Sequence, residues 1–538
     1  YSDEQLTRLR RGGHDPEKVY AAYKSAVNHS EQPTVILAKT VKGYGLGEAG
    51  EGRNVTHQQK KLNEEEMRQF RSRFGIPIPD SDIPEAPFYC PAPDSEEMKY
   101  VKERRKELGG YVPRRIVTVD PIEPVDEKIF TEFHKGTRER EVATTMVFVH
   151  LLSKLLADKK IGKYIVPIVP DEARTFGMES LFRKVGIYSH AGQNYEPVDK
   201  EILLYYKEAK DGQILEEGIT EAGSMSSFIA AGTSHITHDI NMIPFFIFYS
   251  MFGFQRIGDL IWAAGDIMAR GFLLGGTAGR TTLAGEGLQH QDGHSHHLAY
   301  SVPSIHAYDP AYAYELAVII QEGVRRMFVK QEDIIYYLTV MNEFYKMPPM
   351  PEGSEEGILK GIYKFKPSEN KRKKYKAHLF GSGSILNEAI EAQKILENDF
   401  GIAADVWSVT SYKELYVDAI DAERENLRNF DNEERKPYIT EVLQNENGIF
   451  VAASDYLKSL PASIAKWVPG PMAVLGTDGF GRSESRQALR DFFEVDARHI
   501  AYTAVVMMAR EGKTKQSDVK KARKKLDIDL DKVNPMMA

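Results

Sequence analysis

Between residues 143 and 345, four apolar runs (KYIVPIVPD, MIPFFIFYS, RGFLLGG and DIIYYLTV) alternate with stretches of helical spacing (TTMVFVHLLSKLLAD, GDLIWAAGDIMA and PAYAYELAVIIQEGVRRMF). Runs of continuous apolar residues suit strands buried on both faces, and parallel strands need a crossover between them, usually a helix. The alternation predicts a doubly wound α/β domain, which binds ligands beyond the carboxyl ends of its strands. A loop rich in Met, Pro and Gly (MNEFYKMPPMPEGSEEG) follows, and KAHLFGSGSILNEAIEAQKIL opens a further α/β unit that reaches the C-terminus. Near the start, TVILAKTV (34–41) reads as one more buried strand. The helix before it has Asp15 as N-cap and Pro16 at its first position, with Val19, Ala22, Tyr23, Ala26 and Val27 at helical spacing. This pair is expected to be the last helix and strand of a parallel sheet whose other members lie upstream. Residues 42–120 are Gly-rich, then charged, then Pro-rich, the composition of loops and an interdomain linker.

Composition narrows the partners. The net charge of -8 is modest for 538 residues and both signs are mixed throughout, so nothing favours nucleic acid or an anionic membrane. A single cysteine, Cys90, makes neither an internal disulfide nor a cysteine metal cluster, which is the usage of a reducing compartment and points to the cytoplasm. The strongest apolar run, MIPFFIFYSMFG (242–253), is shorter than the roughly 20 residues of a membrane-spanning helix. The opening YSDEQLTRLRRGGHDPEKVY lacks an initiating Met, so the expectation is part of a longer polypeptide.

LAGEGLQHQDGHSHHLAY (283–300) gathers His290, His294, His296 and His297 with Glu286 and Asp292. Three readings of this loop are open from the residues alone. His290 and His294 are spaced i, i+4, as two zinc ligands on a helix would be, but Gly285, Gly287 and Gly293 break a helix and Gln291 stands where a zinc protease has glutamate. A proton-transfer pocket suits imidazole near neutral pH. A plain polar loop is the third. No G-x-S-x-G elbow occurs and Cys90 sits in a Pro-rich segment, so hard chemistry is expected to belong to a cofactor. FGSGSIL (380–386) has too few glycines for a dinucleotide fingerprint and reads as a tight strand–helix turn. KRKKYK (371–376) reads as a solvated linker, and LGTDGFGRSESR (475–486) as a turn.

GTAGRTTLAGEGLQHQDGHSHH (276–297) resembles the corresponding loop of transketolase-type thiamine-diphosphate enzymes. PDEARTFGMESLF (170–182), EGITEAGSM (217–225), FYSMFGFQRIGDLIWAAGD (248–266), YDPAYAYELAVI (308–319), LAKTVKGYGLG (37–47) and EGRNVTHQQKKLN (51–63) extend the likeness. Together they are similar to the large homodimeric pyruvate dehydrogenase component. The resemblance implies a transketolase-like α/β fold: the tail of a diphosphate-binding domain and linker (1–120), a pyrimidine-binding domain (121–350) and a C-terminal domain (351–538). It also implies thiamine diphosphate and Mg2+ as cofactors, and oxidative decarboxylation of pyruvate with reductive acetylation of the lipoyl domain of a dihydrolipoyl acetyltransferase, in a homodimer. The Gly-Asp-Gly element and downstream Asn that hold the metal and diphosphate in this family are not found in these 538 residues. The expectation is therefore no metal ligand in this chain and incomplete cofactor binding by it alone.

Residue by residue, the resemblance makes Glu221 the carboxylate that activates the pyrimidine, Ile219 the prop for the bent cofactor, and Phe252 and Tyr249 flanks of the pyrimidine and substrate. Arg256 is a nearby charge, Asp171 and Glu172 lie at a strand's carboxyl end on the cofactor side, and His290 orients pyruvate with Glu286 beside it. Lys42 would meet substrate carboxylate or cofactor phosphate, and His57 would serve acetyl transfer to the lipoyl disulfide. From the residues alone Glu221 also reads as a helix-start acid, Phe252 and Tyr249 as core, and Lys42 and His57 as solvated loop residues. The rivals are another 2-oxoacid dehydrogenase component or a transketolase, a fragment that assembles without catalysis, and a zinc hydrolase built on the histidine loop.

Overall fold

The computed structural model describes residues 2–8, 12–58, 60–110, 117–170, 173–198, 206–370, 373–431 and 433–538. Two compact units, residues 1–115 and 116–538, divide the chain.

In the first unit, helix α1 (Pro16–Asn28) begins where the capping signal predicts: the Asp15 carboxylate accepts hydrogen bonds from the N–H groups of Glu17 and Lys18. Residues 34–41 correct the expectation of a buried strand, for they pair with nothing as a strand and every one is exposed. A parallel strand exists only through the backbone groups of its neighbours, and among the described residues this unit has no strand. The stretch expected as loops and linker contains two helices, α2 (Glu64–Arg73) and α3 (Glu96–Glu107). A reciprocal capping box between Asn63 and Glu66 starts α2, with acids in the first turn and arginines in the last; Ser95 caps α3. These local terms outweigh the loop-like composition around them.

The second unit carries the predicted doubly wound sheet. Six parallel strands, β1 (Ile165–Val169), β2 (Leu215–Glu216), β3 (Ile243–Tyr249), β4 (Gly271–Gly276), β5 (Ile305–Tyr308) and β6 (Ile335–Thr339), lie in the order β2-β1-β3-β4-β6-β5. Period-two alternation supplies both faces of β3. Phe245 and Ile247 join a core with Phe148 and Leu152 of α4 (Thr144–Ala157), while Phe246 and Phe248 join another with Met225 and Phe228 of α5 (Glu221–Gly232) and Ile257 and Ile261 of α6 (Phe254–Asp266). Leu316 and Ile319 of α7 (Ala313–Val324) complete the first face. From β1 the chain steps to β2 on one side and then to β3 on the other, and at such a reversal the connections diverge and leave a crevice beyond the carboxyl ends.

A second sheet follows: β7 (Ile362–Lys366), β8 (Lys376–Gly381), β9 (Ala404–Val409), β10 (Gly448–Ala453) and β11 (Met472–Leu475), ordered β7-β9-β8-β10-β11, parallel apart from the antiparallel edge strand β7. FGSGSIL is the tight turn expected between β8 and α8 (Ile385–Phe400), with Gly383 at φ 50°. In KRKKYK, the first two residues lie outside the described ones and Lys373 is exposed, as a solvated linker would be. Lys376 corrects that expectation at the other end, for it opens β8 and pairs with buried Asp405 at 3.0 Å. The sheets share one interior. Buried Glu315 of α7 accepts 2.6 Å hydrogen bonds from the hydroxyls of Ser408 and Tyr363 across it. Among the described residues no helix is long and apolar enough to cross a membrane.

Candidate functional site

The crevice side of the first sheet collects three connections. Thr220 caps α5 by accepting from the N–H of Gly223, which places Glu221 in the first turn. The Glu221 side chain is only 11% exposed, and both carboxylate oxygens lie 3.3 Å from Nη1 of Arg256. Arg256, in the first turn of α6, is half-exposed and spreads over the ring of Phe252, 3.8 Å from its centroid. Phe252 stands edge-on to His290 at 5.3 Å and to Tyr249 at 5.8 Å. Tyr249, the last residue of β3, stacks on the His290 ring at 4.8 Å with 13° between planes. Glu286 Oε2 lies 3.3 Å from His290 Nδ1, a contact that favours the ring tautomer with the proton on Nδ1 and an accepting Nε2. Ile219, two residues before Glu221, is exposed.

Six of the residues singled out by sequence, Glu221, Arg256, Phe252, Tyr249, His290 and Glu286, thus form one continuous chain of contacts. Asp171 and Glu172 lie outside the described residues. Lys42 and His57 belong to the first unit, where Lys42 Nζ meets His57 Nδ1 at 3.1 Å and both are exposed.

The four histidines of the loop scatter. His294 Nε2 bonds Gln255 Oε1 at 2.7 Å, exposed His297 lies against Tyr300, and His296 is buried with Nε2 2.9 Å from Thr339 Oγ1. Thr339 Oγ1 also lies 2.6 Å from Asp309 Oδ1; where Thr339 donates to an ionised Asp309, His296 donates to Thr339 through Nε2. Burial pushes His296 down to about 4, and pushes the Asp309 carboxyl up to about 7. Among the described residues, the groups spaced to hold a metal are elsewhere: His378, Asp405 and Glu446, and Asp491, Asp496 and His499. Lysines already occupy the first (Lys364 and Lys376), while Arg498 and Lys532 occupy the second.

The raised Asp309 gives a stability prediction. Between its ordinary value near 3.8 and about 7, the folded protein holds a proton that the unfolded chain has released, so stability falls as pH rises through that window. Asp309→Asn, which keeps an acceptor for Thr339, removes this slope. Urea titrations at pH 4.5 and 7 are expected to show the variant gaining on the parent by on the order of 2 kcal/mol toward the higher pH. A parallel pair of pH profiles would discard the assignment.

Sequence patterns did not reveal what holds the histidine loop. Asp455, just after β10 and fully buried, accepts from the N–H and hydroxyl of both Thr281 and Thr282 at 2.6–3.0 Å. Buried Arg280 donates to the carbonyls of Thr477 and Gly479, and Arg486 to that of Thr282 at 2.6 Å. LGTDGFGRSESR is therefore a turn, as expected, and also a clamp. No local signal marks an aspartate whose partners lie 174 residues away. Phe176 was also missed: it packs edge-on beneath Tyr249 at 5.6 Å. A Cβ on Gly276 would overlap Phe176 Cε1, so Gly276→Ala is expected to cost about 1–3 kcal/mol by overpacking and to tilt Tyr249. A urea midpoint equal to the parent's would contradict this.

Three family models tile the chain: "Pyruvate dehydrogenase E1 component middle domain" over residues 121–348, "Transketolase-like TK C-terminal domain" over 361–496, and "Transketolase, thiamine diphosphate binding domain" over 5–109. The chain is 54% identical over 541 residues to the pyruvate dehydrogenase E1 component of Pseudomonas aeruginosa, covering 99% of this chain and 60% of the relative. It is 50% identical over 542 residues to that of Escherichia coli K12, covering 100% and 60%. It therefore spans about 60% of the length of these relatives. Among solved structures, transketolase from Campylobacter jejuni superposes with a TM-score of 0.62 at 18% identity, over 92% of this chain and 66% of that one. Transketolase from Leishmania mexicana gives 0.60 at 16%, over 93% and 66%. At such identity these two likenesses concern the fold.

Proposed function

Because the chain belongs to the transketolase-like family of the pyruvate dehydrogenase E1 component, we propose that it carries the pyrimidine-binding half of a thiamine-diphosphate site for the oxidative decarboxylation of pyruvate. The single observation that supports this reading is the arrangement around Glu221: a buried carboxylate two residues after exposed Ile219, linked through Arg256 to the aromatic pair Phe252 and Tyr249. These residues fit a heteroaromatic ring with a basic nitrogen. Ile219 supports the cofactor's bend, and Phe252 offers a ring face once Arg256 gives way. Bound thiamine diphosphate supplies a nucleophilic thiazolium carbon and an electron sink for the substrate's carbanion.

Glu221 would share a hydrogen bond with the ring nitrogen, and the low dielectric around it strengthens that bond. Tyr249 and Glu286 fix the His290 ring, whose Nε2 then orients the 2-oxoacid and takes up or returns a proton beside it. Asp171, Glu172 and Lys42 are assigned to the cofactor and substrate side, and His57 to protonation of the lipoyl group of a dihydrolipoyl acetyltransferase as the acetyl group leaves. Mg2+ is assigned to ligands other than the residues named here, and Lys42 to a cofactor phosphate or the substrate carboxylate. The domains proposed are 1–120, 121–350 and 351–538, working as a homodimer in the cytoplasm.

The test is isothermal titration of the full-length protein with thiamine diphosphate and Mg2+, followed by CO2 release from 1-labelled pyruvate and from 2-oxoglutarate. Saturable binding with release from pyruvate is expected. Release from 2-oxoglutarate alone would move the substrate to another 2-oxoacid, and no binding at all would remove the proposal.

A further inference from the structure

Gln291 follows His290 directly, yet its surroundings differ completely. His290 is partly open at the crevice, whereas Gln291 is fully buried and both ends of its amide are used. Nε2 donates to the Leu283 carbonyl at 3.2 Å, across the base of the histidine loop, and Oε1 accepts from the Arg482 N–H at 2.6 Å in the turn after β11. The loop on the His290 side of this amide has only a short helical turn, Leu288–His290.

The facing turn is shaped to receive this side chain. A Cβ on Gly481 would fall 2.9 Å from Gln291 Cβ and 2.9 Å from the Leu288 carbonyl oxygen, so glycine is what allows the turn to lie against the loop. Gly285 N–H adds a bond to the Glu484 carbonyl at 3.3 Å, and Gly293 O accepts from Leu457 N–H at 2.8 Å. The peptide carrying His290 is thus fixed on its C-terminal side by a buried amide to the second sheet, and on the ring itself by Tyr249 of the first sheet and by Glu286 of the same loop.

We infer that Gln291 is a positioning residue for His290: its amide locks the histidine loop to the 481–482 turn of the C-terminal sheet and so sets the imidazole over Tyr249. This rests on the reading of His290 as the group that orients the substrate. An apolar isostere cannot satisfy the Leu283 carbonyl or the Arg482 N–H, and unpaired buried partners loosen the loop. A displacement of the ring of about 1 Å costs on the order of a hundredfold in rate where geometry governs the step.

The experiment uses the cofactor-loaded, full-length protein. Gln291→Leu is expected to lower kcat for pyruvate roughly 10- to 100-fold with KM changed less than about threefold, and Gln291→Glu, which keeps the acceptor for Arg482 but offers a donor to the Leu283 carbonyl only as the neutral acid, to recover rate only as pH is lowered. In a His290→Ala background, Gln291→Leu should cost less than about twofold more, since its effect passes through that ring. Independently of turnover, mass-spectrometric mapping of diethylpyrocarbonate modification should show His290 reacting severalfold faster in Gln291→Leu while His297 is unchanged. If Gln291→Leu does not fold, Gly481→Ala presses on the same amide and should give the same two signatures. Unchanged His290 reactivity in a folded variant, or an equal loss of kcat with and without His290, overturns the inference. A parent that modifies as expected but releases no CO2 from pyruvate overturns the functional reading and leaves the positioning result standing.

Discussion

Glu221→Ala lowers CO2 release from pyruvate by about a hundredfold or more while the protein stays folded. The carboxylate is buried, yet among the described residues its ion pair is with Arg256, whose side chain is half-exposed and can be rehydrated when the partner is removed. The stability change is therefore expected within about 1 kcal/mol. Glu221→Gln keeps the volume and a hydrogen-bonding oxygen but not the charge, and is expected to lose nearly as much rate as alanine. Single-turnover CO2 release at saturating cofactor, with urea midpoints alongside, checks both. A variant that keeps more than half the parent rate would falsify the role proposed for this carboxylate.

Asp455→Ala acts in the opposite manner, with a large loss of stability. Its four acceptor contacts reach two buried N–H groups and two buried hydroxyls, and alanine leaves all four donors without that partner. Losing one charged hub of this kind is expected to cost about 3–5 kcal/mol. Asp455→Asn should recover little, because its NH2 would face the donors it must replace. Equilibrium urea unfolding reads the difference, and a cost below about 1 kcal/mol would mean that water or a shifted loop takes over the four bonds.

Sequence legibility followed the range of the interactions. The alternation of apolar runs and amphipathic stretches specified the first sheet because each strand of the KYIVPIVPD type carries its own pattern. Asp15 and Pro16 likewise located α1 by a contact of two or three residues. TVILAKTV failed for the complementary reason: its apolarity describes a strand only where neighbours supply the hydrogen bonds, and the described residues of its unit include none. In the linker, composition concealed the capping box of Asn63 and Glu66, a signal as local as the one that succeeded at Asp15.

The site shows the same division. Family likeness led to Glu221, Tyr249, Phe252 and His290, and their contacts form because β3 and its following turn bring three of the aromatic and basic side chains to one end of the sheet. Loop composition alone left the histidines undecided, since exposure of His297 and burial of His296 depend on Tyr300 and Thr339, neither adjacent in sequence. Asp455, Arg280 and Gln291 were illegible because their partners are roughly 100 to 200 residues distant or are backbone atoms, which have no sequence signature.

The separation of 174 residues between Thr281 and Asp455 has a consequence for biosynthesis. At roughly 5–20 residues per second on the ribosome, the loop emerges about 10–35 s before the aspartate that fastens it. Late in that interval, once β5, α7 and β6 have followed, the nascent first sheet has its strands but a slack histidine segment. A slow-codon stretch between these positions would prolong the interval, and limited proteolysis of stalled chains should cut between Thr281 and Gly293 until Asp455 has cleared the exit tunnel.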